Sequence, residues 1–233
     1  MRRLRDVAPV TAPGRAAARQ DGMATRQHML EIAGEVFAKR GYAHATSKEI
    51  CERAGTNVAA VNYHFGGKEA LYSAVLIEAH RRLVTVEELA ALAESKADSR
   101  AKLEAIFERI LGELSAKNSK SSWQFRVLIR ELLSPSPMLD RMLKNEAMPK
   151  ARILRSVIAD IMGLPQEHPA VVRSLINVIA PCVLLLIGHR GIAKKVVPDL
   201  VLEPEVLKQH MLAFALAGLE AVAKPARASA LPS

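Results

Sequence analysis

The chain has 233 residues, half of them apolar, which excludes disorder for the bulk of it and leaves room for a sizeable core. With 12 Gly, 12 Pro and 4% aromatics, and with Ala, Leu, Val and Ile carrying the apolar content, the expected fold class is all-α. A formal charge of +9 implies an acidic partner, nucleic acid or an anionic membrane surface, and says nothing about fold.

Residues 1–22 are Arg-rich, with Asp6 and Asp21 the acids, and contain no apolar run of the secretory type. They are expected to form a flexible basic arm, a transit peptide being the weaker reading, and Met23 is an alternative start. A helical period begins at Thr25, with Leu30, Ala33 and Phe37 on one stripe widened by Ile32 and Val36. Lys39 and Arg40 followed by Gly41 form a stop signal. Thr46-Ser47-Lys48-Glu49 reads as a capping box opening a short helix over Ser47 to Ala54, which buries Ile50, Cys51 and Ala54 and ends at Gly55. Asn57 caps a second short helix, Val58 to Phe65, anchored by Val61 and Phe65 and broken by Gly66-Gly67. Lys68-Glu69 opens a longer helix to about Leu83.

Two short capped helices joined at one glycine behind a scaffolding helix describe a helix-turn-helix. Val58, Ala59, Ala60, Asn62, Tyr63 and His64 are what remains unpacked on its second helix. Small residues at that helix's start let backbone approach a phosphate or base edge, Asn62 can pair with an adenine edge, and Tyr63, His64 and Lys68 suit phosphates. The competing reading is ordinary: capped short helices occur in any helical protein, Tyr63 can be core and His64 a surface histidine. Charge does not decide, because Gln27 to Gly67 holds four bases and four acids.

Beyond Leu83 the chain reads as further helices: Arg100 to Lys117, Trp123 to Leu133, Met138 to Met148 and, after Pro149, Ala151 to Met162. His168-Pro169 opens a very apolar helix to about Arg190, and Pro204 opens an amphipathic one to about Val222. The longest apolar stretch, Leu175 to Gly188, is shorter than a bilayer requires, so no membrane span is expected. The last two helices are apolar over wide arcs. A single helical domain has difficulty hiding both, so they are expected to form a two-fold dimer interface, against ordinary intrachain core.

The stretch from Thr25 to about Leu83 strongly resembles the DNA-binding domain of the tetracycline-repressor (TetR) family of bacterial transcriptional regulators. Several motifs match in register: Ala33 with Phe37, Arg40-Gly41-Tyr42, Thr46 to Ile50, Ala54-Gly55, Tyr63-His64-Phe65 and Lys68-Glu69. The resemblance implies a DNA-binding domain over 23–83 with its reading motif at about 46–65. It also implies an effector-binding and dimerisation domain over 84–224, followed by a disordered tail over 225–233. Val58, Ala60, Asn62 and His64 are then expected near base edges or adjacent backbone, Thr46, Ser47, Lys48, Tyr63 and Lys68 on phosphates, and Ala59 within the same DNA-binding face. The chain departs from the family at Asn62 and Ala59, where many members carry Tyr and Gly, which bears on base preference. Phe125-Arg126, Arg130-Glu131, Ser134-Pro135 and His168-Pro169 resemble a CecR-type C-terminal domain. Candidate effector contacts are Trp123, Arg126, Arg130, Met138, Met142, Asn177, Cys182 and His189, each with a plain structural alternative such as Met as gap-filling core.

The implied function is a homodimeric, ligand-responsive repressor, cytoplasmic and nucleoid-associated when on pseudo-palindromic operator DNA. The alternative is a helical membrane-surface or protein-interaction protein using the basic arm. Neither an enzyme, nor a metal site, nor a cofactor is expected: there is no Gly-rich phosphate loop and no ligand cluster, and Cys51 and Cys182 stand far apart. Residues 1–26 carry +4, residues 27–67 carry zero and the remainder +5, so the arm is expected to supply sequence-independent affinity.

Overall fold

The structure, a computed structural model, describes residues 15–115, 123–187 and 203–229, and every regular element among them is helical. Helix α1 spans Arg15–His44, α2 Ser47–Arg53, α3 Val58–Phe65, α4 Lys68–Arg81, α5 Val86–Glu94 and α6 Ser99–Ser115. Helix α7 spans Trp123–Leu133, α8 Leu139–Met142, α9 Met148–Met162, α10 Pro169–Ile187 and α11 Pro204–Ser229. The break expected after Arg40 is present: Gly41 stands at φ 75°, ψ 168° inside α1. Two ends differ from expectation, since α1 begins at Arg15, within the stretch read as an arm, and α11 continues through Pro225 to Ser229. Arg227 explains the second: its Nη1 donates to the Met162 carbonyl at 3.1 Å, capping the end of α9, and its Nη2 lies 2.5 Å from Glu220. Residues 1–14, Lys117, the 188–190 end of the apolar helix, His189 and residues 230–233 lie outside the described residues.

Two apolar cores form, and their division is not the one the chain order suggests. The first joins Met29, Ala33, Phe37, Ile50, Val61, Leu71 and Tyr72 of the first four helices to Trp123 and Val127 of α7 and to Met138 and Met142 around α8. Phe37 and Tyr72 pack with ring centroids 4.6 Å apart, and Tyr42 lies 5.1 Å from Tyr72. The second core gathers α5, α6, α9, α10 and α11 around Leu103, Phe107, Ile158, Met162, Val171 and Leu212. Helices α7 and α8 therefore seal the reading unit although α5 and α6 separate them from it along the chain. The closest approach is at Gly34, where an added Cβ would lie 2.3 Å from the Trp123 ring. In most exposed helices Gly→Ala is favourable by about 1 kcal/mol. Here Gly34→Ala should instead destabilise by about 1–3 kcal/mol through overpacking, measured as a lower denaturant midpoint at unchanged m.

Helix α5 opens with a complete capping box: Thr85 accepts from Glu88 N at 3.0 Å, and Glu88 accepts from Thr85 N at 2.7 Å. Between α8 and α9 the helix widens into one π turn, Leu143–Ala147, immediately before Pro149 at the start of α9. Proline lacks an N–H and its ring collides with the carbonyl four residues back, and the widened turn accommodates both. The π turn also carries Glu146, 2.9 Å from the Lys150 ammonium, with both residues buried. Lys150 in turn donates to His80 Nδ1 at 2.8 Å and to the His80 carbonyl at 3.1 Å, closing the end of α4.

Burial and the adjacent Lys150 charge lower the His80 pKa from 6.5 to about 4. The unfolded chain thus takes up a proton near pH 6.5 that the native state refuses until about pH 4. Stability attributable to this residue is complete above that window and falls, by about 3 kcal/mol in all, as pH drops through it. Melting temperature measured from neutral pH downward should show that loss, and His80→Gln should flatten it.

By length and composition α11 is apolar enough to cross a bilayer, with a mean hydropathy of 1.3 in its best window. Met211, Leu212, Leu219 and Ala223 of this helix are nonetheless buried in the second core.

Candidate nucleic-acid interface

Helices α2 and α3 are short, and their caps hold them. Thr46 Oγ1 accepts from Glu49 N at 3.1 Å, and Asn57 Oδ1 accepts from Ala60 N at 3.0 Å. Only one half of the expected box forms at Thr46, with the Glu49 carboxylate 3.6 Å from Arg40 Nε. The corner between the helices turns on Gly55 at φ 63°, and Thr56 N donates across it to the Cys51 carbonyl at 2.9 Å. Ile50 and Val61 are wholly buried, one from each helix, so the pair is pinned to the core by its inner faces.

The outer face of α3 is left open. Tyr63 is 85% exposed and Val58 47%, Ala59 and Asn62 are exposed, and Ala60 and His64 are partly covered. Thr46 and Lys48 are exposed at the start of α2, with Ser47 partly covered. Tyr63 is therefore not a core residue, and its ring meets the His64 edge, 4.9 Å away. At the far end, Gly66 (φ 84°) and Gly67 (φ 124°) reverse the chain into α4. Gly67 caps α4 without any side-chain bond, so the first N–H groups of α4 are free to meet an anion. Lys68 stands beside them with its ammonium 4.5 Å over the Tyr42 ring.

The surface around this face carries bases that are already paired: Arg53 with Glu35 at 2.6 Å, Arg40 with Glu49, and Lys48 with Glu52 at 3.9 Å. These exposed pairs contribute little to stability, but they explain how a reading unit of zero net charge is built. Among the described residues, Lys68 and Arg26, which flank that segment beside α3, have no carboxylate partner, Arg26 lying 4.7 Å over the Phe65 ring. That stacking had no periodic signal in the sequence.

Where the reading unit meets the rest of the chain, Glu31 is the hub. It accepts from Trp123 Nε1 at 2.8 Å and from Gln27 at 3.2 Å, and it pairs with Arg82, which also bonds Glu78 at 2.8 Å. Burial alone would raise the Glu31 carboxyl, but hydrogen bonds from Arg82 and Trp123 and the Arg82 charge outweigh it and hold the group below the usual carboxylate range. Arg130 packs on Gly41 and donates to the Lys39 carbonyl at 3.3 Å.

The residues expected to contact an effector do not meet in one cavity. Trp123, Met138 and Met142 are buried in the first core, Arg130 lies against α1, and Arg126 is exposed. Asn177 lines an outward groove between α10 and α11, while Cys182 is buried in the second core. Burial pushes the Cys182 thiol up to about 12 and the Cys51 thiol in the same direction. Both are therefore thiols at neutral pH, poorly suited to sensing oxidants. Among the described residues no cluster of His, Cys, Asp and Glu could hold a metal ion.

Comparison with known proteins agrees with this geometry. Residues 29–75 match the family described as bacterial regulatory proteins, tetR family. Residues 99–222 match the C-terminal domain of the HTH-type transcriptional dual regulator CecR. The HTH-type transcriptional regulator TtgR of Pseudomonas putida is 35% identical over 78 residues, which are 34% of this chain and 36% of that protein. The chain thus matches about a third of that relative's length. Among solved structures, the TetR family regulator PfmR from Thermus thermophilus superimposes with a TM-score of 0.60 at 20% identity, covering 82% of this chain and 98% of that one. FadR from Bacillus subtilis, solved in complex with stearoyl-CoA, gives 0.62 at 16% identity over the same shares. With the reading unit matched in register and the C-terminal match spanning more than half of its length, the chain belongs to the TetR family of bacterial transcriptional regulators, with a C-terminal domain of the CecR type.

Proposed function

We propose that the protein is a homodimeric, ligand-responsive transcriptional repressor that binds a pseudo-palindromic operator and is released from it by a small-molecule effector. The observation that carries the reading is the outer face of α3, held rigidly by two caps and a buried inner face yet left largely open among the described residues. On this reading Val58, Ala60, Asn62 and His64 meet base edges or adjacent backbone in the major groove, with Ala59 on the same face. Thr46, Ser47, Lys48, Tyr63 and Lys68 hold phosphates, with the free N–H groups of α4 beside Lys68. The reading implies a cytoplasmic protein that joins the nucleoid when bound to DNA.

Dimerisation is assigned to α10 and α11. Ile176, Leu184, Phe214 and Val222 are exposed along a groove lined almost wholly by apolar atoms. Reading a pseudo-palindromic operator requires two copies of α3 about 34 Å apart or a multiple of it, one helical turn of DNA. An effector acts only if it binds one conformer better than the other. Trp123, Arg130, Met138 and Met142 are assigned to transmission: a shift of α7 or α8 moves the Glu31–Arg82 and Lys150–His80 contacts that hold the end of α4.

The test is a mobility shift on DNA upstream of the neighbouring gene. A strong preference over competitor DNA is expected. Asn62→Ala should relax preference at one position by about 1–3 kcal/mol, and Lys68→Ala should weaken all DNA about equally, lowering the salt slope by about one. Binding without sequence preference would reject the reading, and liposome capture without DNA binding would favour the membrane-surface alternative.

A further inference from the structure

A cleft of about 300 Å³ runs beside α4, between the first half of α1, the end of α3 and α8. Three arginines from three separate helices line it: Arg26 of α1, Arg81 of α4 and Arg141 of α8. Ser73 of α4 lines it too, only 2% exposed, and its hydroxyl has no hydrogen-bond partner. A buried hydroxyl left unpaired is costly and uncommon in folded proteins.

Two of the three charges are uncompensated. Arg26 and Arg141 have no carboxylate partner among the described residues, Arg26 being stacked on Phe65 instead. Arg81 is 4.0 Å from Glu146, whose carboxylate is already engaged by Lys150 at 2.9 Å. The one acid of the cleft, Glu78, is bonded to Arg82 at 2.8 Å. Three arginines thus line one small space beside an unpaired hydroxyl, and the cleft's own carboxylate is already engaged by Arg82. Guanidinium groups present paired N–H donors that match the oxygens of phosphates and carboxylates.

We propose that this cleft is a binding site for a small multivalent oxyanion, a phosphorylated or polycarboxylate metabolite. Arg26 and Arg141 hold its oxygens from opposite helices, and the Ser73 hydroxyl donates from below. The volume sits at the low end of ligand pockets, which confines the ligand to a compact one. Because Arg26 belongs to α1 and Arg141 to α8, the bound anion ties these two helices together across α4. The site is separate from the α10–α11 groove and shares no residue with the predicted effector contacts.

Thermal unfolding and isothermal titration of the full chain with inorganic phosphate, at constant ionic strength and without DNA, test the assignment. The expected result is a saturable rise in melting temperature against chloride and one site per chain. Citrate in the same assay tells carboxylate from phosphate ligands. In the Arg26→Gln/Arg141→Gln double variant affinity should fall at least about tenfold, and in Ser73→Ala by a smaller factor. Both arginines are exposed, so far-UV circular dichroism should be unchanged, and Arg152→Gln should bind phosphate as the unaltered chain does. The proposal is overturned by the absence of saturable binding of either anion or by binding that the double variant leaves intact. If neither anion binds while the same double variant weakens all DNA equally in a separate mobility shift, the arginines are backbone-phosphate contacts instead. No DNA enters the titration, so its failure leaves the operator reading standing, and a failed mobility shift leaves the anion site standing.

Discussion

Replacing Glu131 by alanine should lower the unfolding free energy by about 4 kcal/mol, the largest single-residue loss outside the apolar cores. This carboxylate is 1% exposed and accepts three hydrogen bonds. The Tyr72 hydroxyl donates to Oε2 at 2.7 Å, and the backbone N–H and hydroxyl of Ser136 donate to Oε1 at 2.9 and 2.7 Å. The Ser136 hydroxyl accepts in turn from Met138 N at 3.2 Å, which fixes the start of α8. One side chain therefore staples α4 to α7 and shapes the Ser-Pro turn between α7 and α8. Burial first, and then the Glu131 carboxylate, push the Tyr72 phenol far above its usual value, so it stays a donor at every accessible pH. Bonds to a charged acceptor contribute about 1.5–3 kcal/mol each, and truncation leaves buried donors without partners. Tyr72→Phe, which removes one donor and leaves the acceptor two others, should cost about 1–2 kcal/mol. Denaturant titration at constant m checks both, and a Glu131→Ala loss below that of Tyr72→Phe would show that the carboxylate is not the organising group.

Phe214→Glu should convert a dimer into a monomer. Phe214 is 75% exposed in the single chain, beside Ile176 at 67% and Leu184 at 68%, and the groove they line encloses about 880 Å³. Apolar surface of this extent on one face marks an interaction site. In a two-fold interface every substitution is made twice. Loss of about 2 kcal/mol of burial per Phe, doubled by symmetry, weakens association by roughly a thousandfold before the cost of burying the new carboxylates is added. Sedimentation should give twice the chain mass for the unaltered protein and the chain mass for the variant, with helix content unchanged because the side chain supports no intrachain core. Operator affinity should fall with it, since each half-site then binds alone. A variant that remains dimeric would place the interface elsewhere.

How far the residues themselves disclosed this protein depends on the range of each interaction. The caps at Thr46 and Asn57, and the glycines at 41, 55 and 66, act over three or four residues and were readable as spacing. The Thr85–Glu88 box acts over the same short range and marks α5, a helix that the apolar pattern beyond Leu83 did not set apart. The start of α1 before Thr25 was not readable, because Ala-rich, Arg-rich sequence has high helix propensity but no apolar stripe to distinguish it from a basic arm. The proposed effector contacts rested on residue type, which carries no information on which neighbours share a cavity. Trp123, Met138 and Met142 accordingly sit in the core of the reading unit, and Asn177 on the outward groove.

The sequence by itself determined an all-helical chain with a helix-turn-helix near its start, an unpacked outer face on α3 and two apolar helices near its end. Those properties rest on periodicity, capping and turn chemistry, all local. Only the tertiary structure decided that α7 and α8 complete the reading unit, that Gly34 exists to admit Trp123, and that α4 is held at both ends by buried polar contacts. The partners concerned are separated by 59 residues for Tyr72 and Glu131, 92 for Glu31 and Trp123, and 70 for His80 and Lys150. No pattern in a single chain encodes such pairs; they are selected by which donors and acceptors the packed helices bury together.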